Sequence, residues 1–256
     1  MTEQGAQQTV RDRLFAIAME KGLRQSTVLS YERLLGRLGI LDEVEVSQED
    51  VLSRLWTIDN PNTRRAAVIA LRSVFGWRIK IPRGVPRRYD LPDEDTLRLA
   101  LMTSPHEVRG LLMMYAGLRI GEASAVTMQS VSGDRLTVDK QVIQLRRTGH
   151  PTVTRIGPVK SSEATVIIPH WLTGLVATLE GTEKPDCVRE SLRRAGRKVG
   201  IGLTPHMLRH WYATTMLERG VPLPLVQQQM RHSDIAVTLR TYVQYRAAGS
   251  IHDTFG

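Results

Sequence analysis

Apolar positions keep a helical spacing through residues 8–77. Val10, Leu14 and Ile17 fall on one face, and Val28, Tyr31, Leu35 and Leu38 on another. Ser26 stands before the second run as an N-cap, Gly36 weakens that helix, and Gly39 ends it. A third helix is predicted from Gln48 to Trp56. In "DNPNTRRAAVIALRSVFGW" a fourth turns Ala67, Ala70, Leu71, Val74 and Phe75 inward and leaves Arg64, Arg65 and Arg72 outside. Residues 1–78 therefore read as a small helical domain.

The periodicity then stops. "KIPRGVPRRYDLPDED" carries three prolines and a glycine, which no continuous helix survives. Residues 79–91 read as a basic linker, and residues 92–256 as a second domain. There, helices are expected at 93–103 and 106–116, with Gly117 and Gly121 flanking a turn into another. "RLTVDKQVIQL" alternates and is rich in β-branched residues, so it predicts a strand, and "ATVIIP" predicts another. Between them Gly149, Gly157 and Pro158 mark turns. Helices return at 169–180, 187–199, 205–219, 222–231 and 234–244. The predicted fold class is mainly α with a small antiparallel β-sheet, the sheet lying in an α+β second domain.

Charge narrows the class of partner. The 256 residues hold 35 Lys plus Arg against 26 Asp plus Glu, a formal charge of +9. Such an excess favours polyanions, nucleic acid among them. Cys187, the one cysteine, excludes an internal disulfide framework and a cysteine-based zinc cluster, and reads as a small buried helix residue. The amino-terminal stretch is polar, and no run of about 18 apolar residues occurs, so neither a signal peptide nor a membrane span is expected. A cytoplasmic protein, without contact to membrane, is the expectation.

"TPHMLRHWYATTMLERG", residues 204–220, concentrates the candidate chemistry. Thr204 is an N-cap and Pro205 a first helical residue, which places His206 and Arg209 in or beside the first turn. Free backbone N–H groups and the helix dipole attract anions there. His206 and His210 have the i, i+4 spacing of a zinc helix. The H-E-x-x-H pattern, however, requires glutamate where Met207 stands, and Arg209 would repel a dication; no metal is expected. His210 reads as a packed, hydrogen-bonded histidine.

Other boxes surround this one in the sequence. "YAGLRIGEASAV" carries Arg119 and Glu122, "GPVKSSEATVIIP" carries Lys160, and "MRHSDIAVTLRTYVQY" carries His232 and Tyr242. In this order they resemble the tyrosine recombinases, especially bacteriophage integrases. The family's first box, G-L-R-x-x-E, is matched by Gly117, Leu118, Arg119 and Glu122. Its hairpin lysine is matched by Lys160, ahead of a strand ending at Pro169. Its second box, H-x-L-R-H-x-x-A-T, is matched by His206, Leu208, Arg209, His210, Ala213 and Thr214. Its third box is matched by His232, Ser233, Ile235 and Tyr242. Arg231 stands where the family's usual glycine precedes the third-box histidine. The first domain resembles the family's core-site-binding domain more loosely, through "STVLSYERLLGRLG", and no further amino-terminal arm-binding domain is expected.

The resemblance implies a two-domain, C-shaped clamp on double-stranded DNA, acting as a homo-oligomer, a tetramer on paired sites, and needing no cofactor. It implies site-specific recombination for integration and excision through a 3′-phosphotyrosine. Tyr242 would be the nucleophile; Arg119 and Arg209 would neutralise the non-bridging oxygens, where a planar, permanently charged fork is suited. Lys160 would protonate the departing 5′ oxygen, His206 take or relay the tyrosine proton, His232 hydrogen-bond a phosphate oxygen, and Glu122 orient the cluster. Lys80, Arg83, Arg87, Arg88 and Arg231 are expected contacts to the DNA backbone, and Arg64, Arg65 and Arg72 candidates for the bases. No G-x-x-x-x-G-K-[ST] loop occurs, in keeping with an ATP-independent transfer. A type IB topoisomerase-like enzyme and a catalytically silent DNA-binding protein are the alternatives.

Overall fold

The structure, a computed structural model, describes residues 8–85, 91–147, 149–160 and 163–231. The chain divides into two compact units, one of Met1–Arg87 with Leu145–Val153, the other of Arg88–Gln144 with Thr154–Gly256. The expected helix at 234–244 lies outside the described residues, as do His232, Tyr242, Arg87 and Arg88.

The first unit is built on four helices, α1 (Val10–Glu20), α2 (Gln25–Arg37), α3 (Gln48–Leu55) and α4 (Pro61–Phe75). Their starts are encoded locally. Thr9 and Asp12 form a reciprocal capping box on α1, Ser47 caps α3, and Asn60 caps α4 with Pro61 as first helical residue. Helix α2 starts without a side-chain cap; Arg24, not Ser26, holds that position. One apolar cluster joins the helices, with Leu14, Leu35, Val51, Ala67 and Leu71 fully buried. Within this unit the nearly buried Glu32 is paired with Arg11 and, at 2.9 Å, with Arg147 of the 145–153 segment.

The second unit holds α5 (Glu94–Met102), α6 (Glu107–Tyr115), α7 (Ile120–Ala125), α8 (His170–Val176), α9 (Pro185–Lys198), α10 (Pro205–Glu218) and α11 (Leu223–Met230). Helix α6 lies at the centre: Leu111, Leu112, Met113 and Met114 in succession are buried. A helix enclosed this way shows no polar face. Helix α10 packs along it, and α5 packs on α9.

Two small antiparallel sheets complete the unit's strands. In the first, β1 (Val131–Ser132), β2 (Arg135–Val138) and β5 (Ala164–Ile167) lie in the order β1-β2-β5, with Leu136 opposite Val166. In the second, β3 (Lys140–Leu145) pairs with β4 (Val153–Pro158). The run expected as a single strand is thus two strands in different sheets, divided at Asp139, a poor strand former. The buried face also switches there: β2 alternates, whereas Gln141 and Val142 of β3 are buried in succession. Strand β4 was expected as turns. It is exposed at nearly every position, so it carries no alternation to read. Cys187, expected buried, is exposed on α9. Helix α8 ends at Val176, four residues short of the expected boundary.

Candidate active site

The loop between α6 and α7 brings the first box into place. Gly117 sits in the left-handed region at φ 62°, and a Cβ there would lie 2.7 Å from the ring of Tyr212. Glycine meets both demands, the backbone angle and the closeness of α10. Arg119 then caps α7. Its backbone N–H donates to Glu122 Oε2 at 2.7 Å, and its Nη1 donates to Glu122 Oε1 at 2.9 Å. The i, i+3 spacing of box one is therefore a helix-start ion pair.

Arg209 reaches the same place from α10, whose start is fixed by Thr204 Oγ1 accepting from Met207 N at 3.1 Å. Its guanidinium is buried and donates to the carbonyls of Gly117 and Met230. Arg119 Nη2 donates to the next carbonyl, Arg231 O, at 3.0 Å. Both arginines therefore grip the last turn of α11 as well as the site.

Arg231, expected as a DNA-backbone contact, is not at the surface. Its side chain is 1% exposed and pairs with Glu122, which is itself fully buried. Glu122 pairs with Arg119 and Arg231, and its charge also acts on Arg209, so three guanidiniums and one carboxylate gather here among the described residues. Burial, then the charge on Arg119, pushes Arg209 down to about 9. Burial likewise pulls Arg231 down, against the attraction of Glu122. Guanidinium stays protonated in proteins, so the downward direction records the cost of holding these charges out of water beside one another. Fixed cations held in this way suit an anion.

His206 lies exposed in the first turn of α10, and its Nε2 is 2.9 Å from Nε2 of His210. The two rings meet edge to face at 4.1 Å. Burial, then His206 and Arg209, pushes His210 down to about 4, so it is neutral at pH 7 and can share one proton with His206. Tyr212, also beside the arginines, is pushed up to about 12 by burial. It packs the site and cannot supply an accessible phenolate. Lys160 is exposed, two residues beyond β4, whose end is tied to β3 by Gln141 Nε2 donating to Pro158 O at 2.7 Å.

The expected base contacts in the first unit fare unevenly. Arg64 donates twice to Ile58 O and lies 4.7 Å over the Trp56 ring, and Arg65 donates to Pro82 O. Both are committed to the fold. Arg72, Lys80 and Arg83 are exposed. The sequence reading missed Arg109, which is buried and donates to the carbonyls of Ala123, Val126 and Gly181. Its signal was a lone cation inside the apolar run "VRGLLMM", since a buried charge must be paired or fully hydrogen-bonded.

Residues 91–248 match the phage integrase family. Tyrosine recombinase XerA of Thermococcus onnurineus is 27% identical over 181 residues, covering 62% of this chain; the chain spans 58% of that relative's length. Tyrosine recombinase XerC of Erythrobacter litoralis is 27% identical over 276 residues, covering 91% of this chain and 86% of its own. Among solved structures, the Tn1549 transposon integrase in complex with a circular intermediate DNA superposes with a TM-score of 0.70 at 16% identity, over 94% of this chain and 98% of its own. A lambda integrase dimer bound to a COC' core site superposes with a TM-score of 0.64 at 16% identity, over 91% and 76%. The ordered boxes, the meeting of Arg119 and Arg209 beside Glu122 and the match over most of the second unit have one explanation: the chain belongs to the phage integrase family, the tyrosine recombinases.

Proposed function

We propose that this chain is a site-specific DNA recombinase that cuts and rejoins double-stranded DNA through a covalent 3′-phosphotyrosine, integrating or excising a DNA element as a tetramer on paired sites. The observation that carries the reading is the meeting of Arg119 and Arg209, from two separate boxes, beside the buried Glu122. A phosphodiester in its pentavalent transition state develops the negative charge that such paired guanidiniums stabilise.

In the proposed reaction Tyr242 Oη attacks the phosphorus, its proton passes to His206, and the bond to the 5′ oxygen breaks. Lys160 delivers a proton to that oxygen. A 5′-hydroxyl from the partner strand then attacks the phosphotyrosine, and the phenol leaves with a proton returned. Two transfers of similar energy replace a hydrolysis, so no nucleotide cofactor is consumed. His210, held neutral against His206, suits a proton relay. His232 is assigned a hydrogen bond to a phosphate oxygen.

Because the target is set by sequence, the test begins with a pool of nicked duplexes of randomised core. Wild-type protein is expected to trap members of this pool as SDS-resistant adducts, in EDTA and without ATP. Tyr242→Phe is expected to bind the recovered duplex with unchanged affinity and to form no adduct. Adduct persisting in that variant would place the nucleophile elsewhere; binding without adduct in the wild type would identify a silent DNA-binding protein. Arg87 and Arg88 remain proposed phosphate contacts. Replacing both with alanine is expected to reduce the slope of log K against log salt by about 2, measured by fluorescence anisotropy on the same duplex.

A further inference from the structure

Arg231 occupies its place at a cost. It is the only non-glycine residue with positive φ among the described residues, at φ 53° and ψ 46°. L side chains visit that region reluctantly, and glycine would sit there without penalty. Its side chain is buried, yet Nε finds no hydrogen-bond partner among the described residues, and Nη1 has only a long contact, 3.4 Å, to Gln229 O. Two further guanidiniums lie nearby, and the charges of both Arg119 and Arg209 bear on this cluster. A strained backbone, an unsatisfied buried donor and like-charge neighbours are all destabilising, and one glycine would remove the three together. Costs collected on a single residue beside a reactive site point to function.

We propose that Arg231 is a positioning residue that fixes Arg119 from two sides. Its guanidinium gives the buried Glu122 carboxylate a second counter-charge, and its left-handed backbone turns its own carbonyl onto Arg119 Nη2. Without Arg231, Glu122 would keep Arg119 as its one hydrogen-bonded counter-ion among the described residues and would compete with a phosphate for that guanidinium. Sharing Glu122 with the enclosed Arg231 weakens this competition while keeping the carboxylate compensated. Arg119, at 29% side-chain exposure against 1% for Arg231, is the partner that can meet DNA. Arg231 thus acts through Glu122 and touches no substrate. The inference rests on the reading of Arg119 as a phosphate ligand.

Arg231→Gly keeps the backbone conformation and deletes the guanidinium. On the duplex recovered by adduct selection, it is expected to bind with wild-type affinity and wild-type salt slope. Single-turnover cleavage is expected to fall by on the order of 10²-fold, the scale of a misplaced reacting group. Adding Glu122→Gln, which removes the charge needing compensation, is expected to restore most of that rate; Arg231→Lys is expected to restore part. Wild-type cleavage in Arg231→Gly would overturn the proposal. So would a salt slope lowered by about 1, which marks a direct phosphate contact, or a double variant whose loss is the product of the two single losses. Thermal unfolding of the wild type, Arg231→Gly, Glu122→Gln and the double variant reads the pair without DNA. The double variant's change of melting temperature is expected to depart from the sum of the two single changes, and simple additivity would overturn the inference. If wild-type protein forms no adduct while this coupling is present, the recombinase reading fails and the Glu122–Arg231 arrangement stands.

Discussion

Replacing Arg209 with alanine is expected to slow strand cleavage by about 10²–10³-fold, the effect of removing one preorganised donor to a developing oxyanion. The charge leaves a site in which burial has already removed competing water. Two buried carbonyls, Gly117 O and Met230 O, also lose their donor. Each unsatisfied group costs about 1–3 kcal/mol, so the melting temperature falls as well. DNA affinity is expected to stay within a few-fold of wild type, because phosphate contacts spread along the duplex supply most binding energy. Single-turnover cleavage with anisotropy and calorimetry on the same preparation separates these effects. A variant that cleaves at the normal rate would remove Arg209 from the transition state.

The second large effect is expected from Gly117→Ala. A Cβ at this position stands 2.7 Å from Tyr212 Cδ1, 3.0 Å from Cε1 and 3.2 Å from Met230 Cγ, at a φ of 62°. The left-handed backbone costs about 1–2 kcal/mol with a side chain, and overpacking adds about 1–3 kcal/mol. The sum, about 2–5 kcal/mol, corresponds to a fall of roughly 4–20 °C in melting temperature for a unit of this size. The displaced carbonyl of Gly117 is the one that Arg209 holds, so cleavage falls with stability. Coupling Gly117→Ala with Tyr212→Leu is expected to recover the share due to the clash and leave the share due to the backbone. Equal melting temperatures in the single and double variants would show that the ring yields without cost.

Much of this was legible in the chain, and where it was not, the reasons are physical. The start of α10 at Thr204 and Pro205 was legible because a cap is a local event involving three or four residues, whereas the cap expected at Ser26 is held by Arg24. The pairing of Arg119 with Glu122 was likewise within reach of spacing alone. Strand β4 was not, since a ribbon exposed on both faces leaves no alternating record. The side-chain destinations of Arg64, Arg65 and Arg231 were invisible too. An arginine committed to a carbonyl and one waiting for a phosphate are the same letter, and only the long-range fold decides between them. Arg231 illustrates this most plainly: 109 residues separate it from Glu122, and a position suited to glycine gave no hint of a buried ion pair.

The last turn of α11 carries a further consequence. Val226 and Met230 are buried against Tyr212 and Ala213, and the carbonyls of residues 230 and 231 are held by Arg209 and Arg119. Greasy packing on one side of this short helix is therefore wired to electrostatics on the other. A genetic screen for proteins that still occupy their sites but never join ends would collect lesions at Val226 and Met230, side chains with no polar atom to offer.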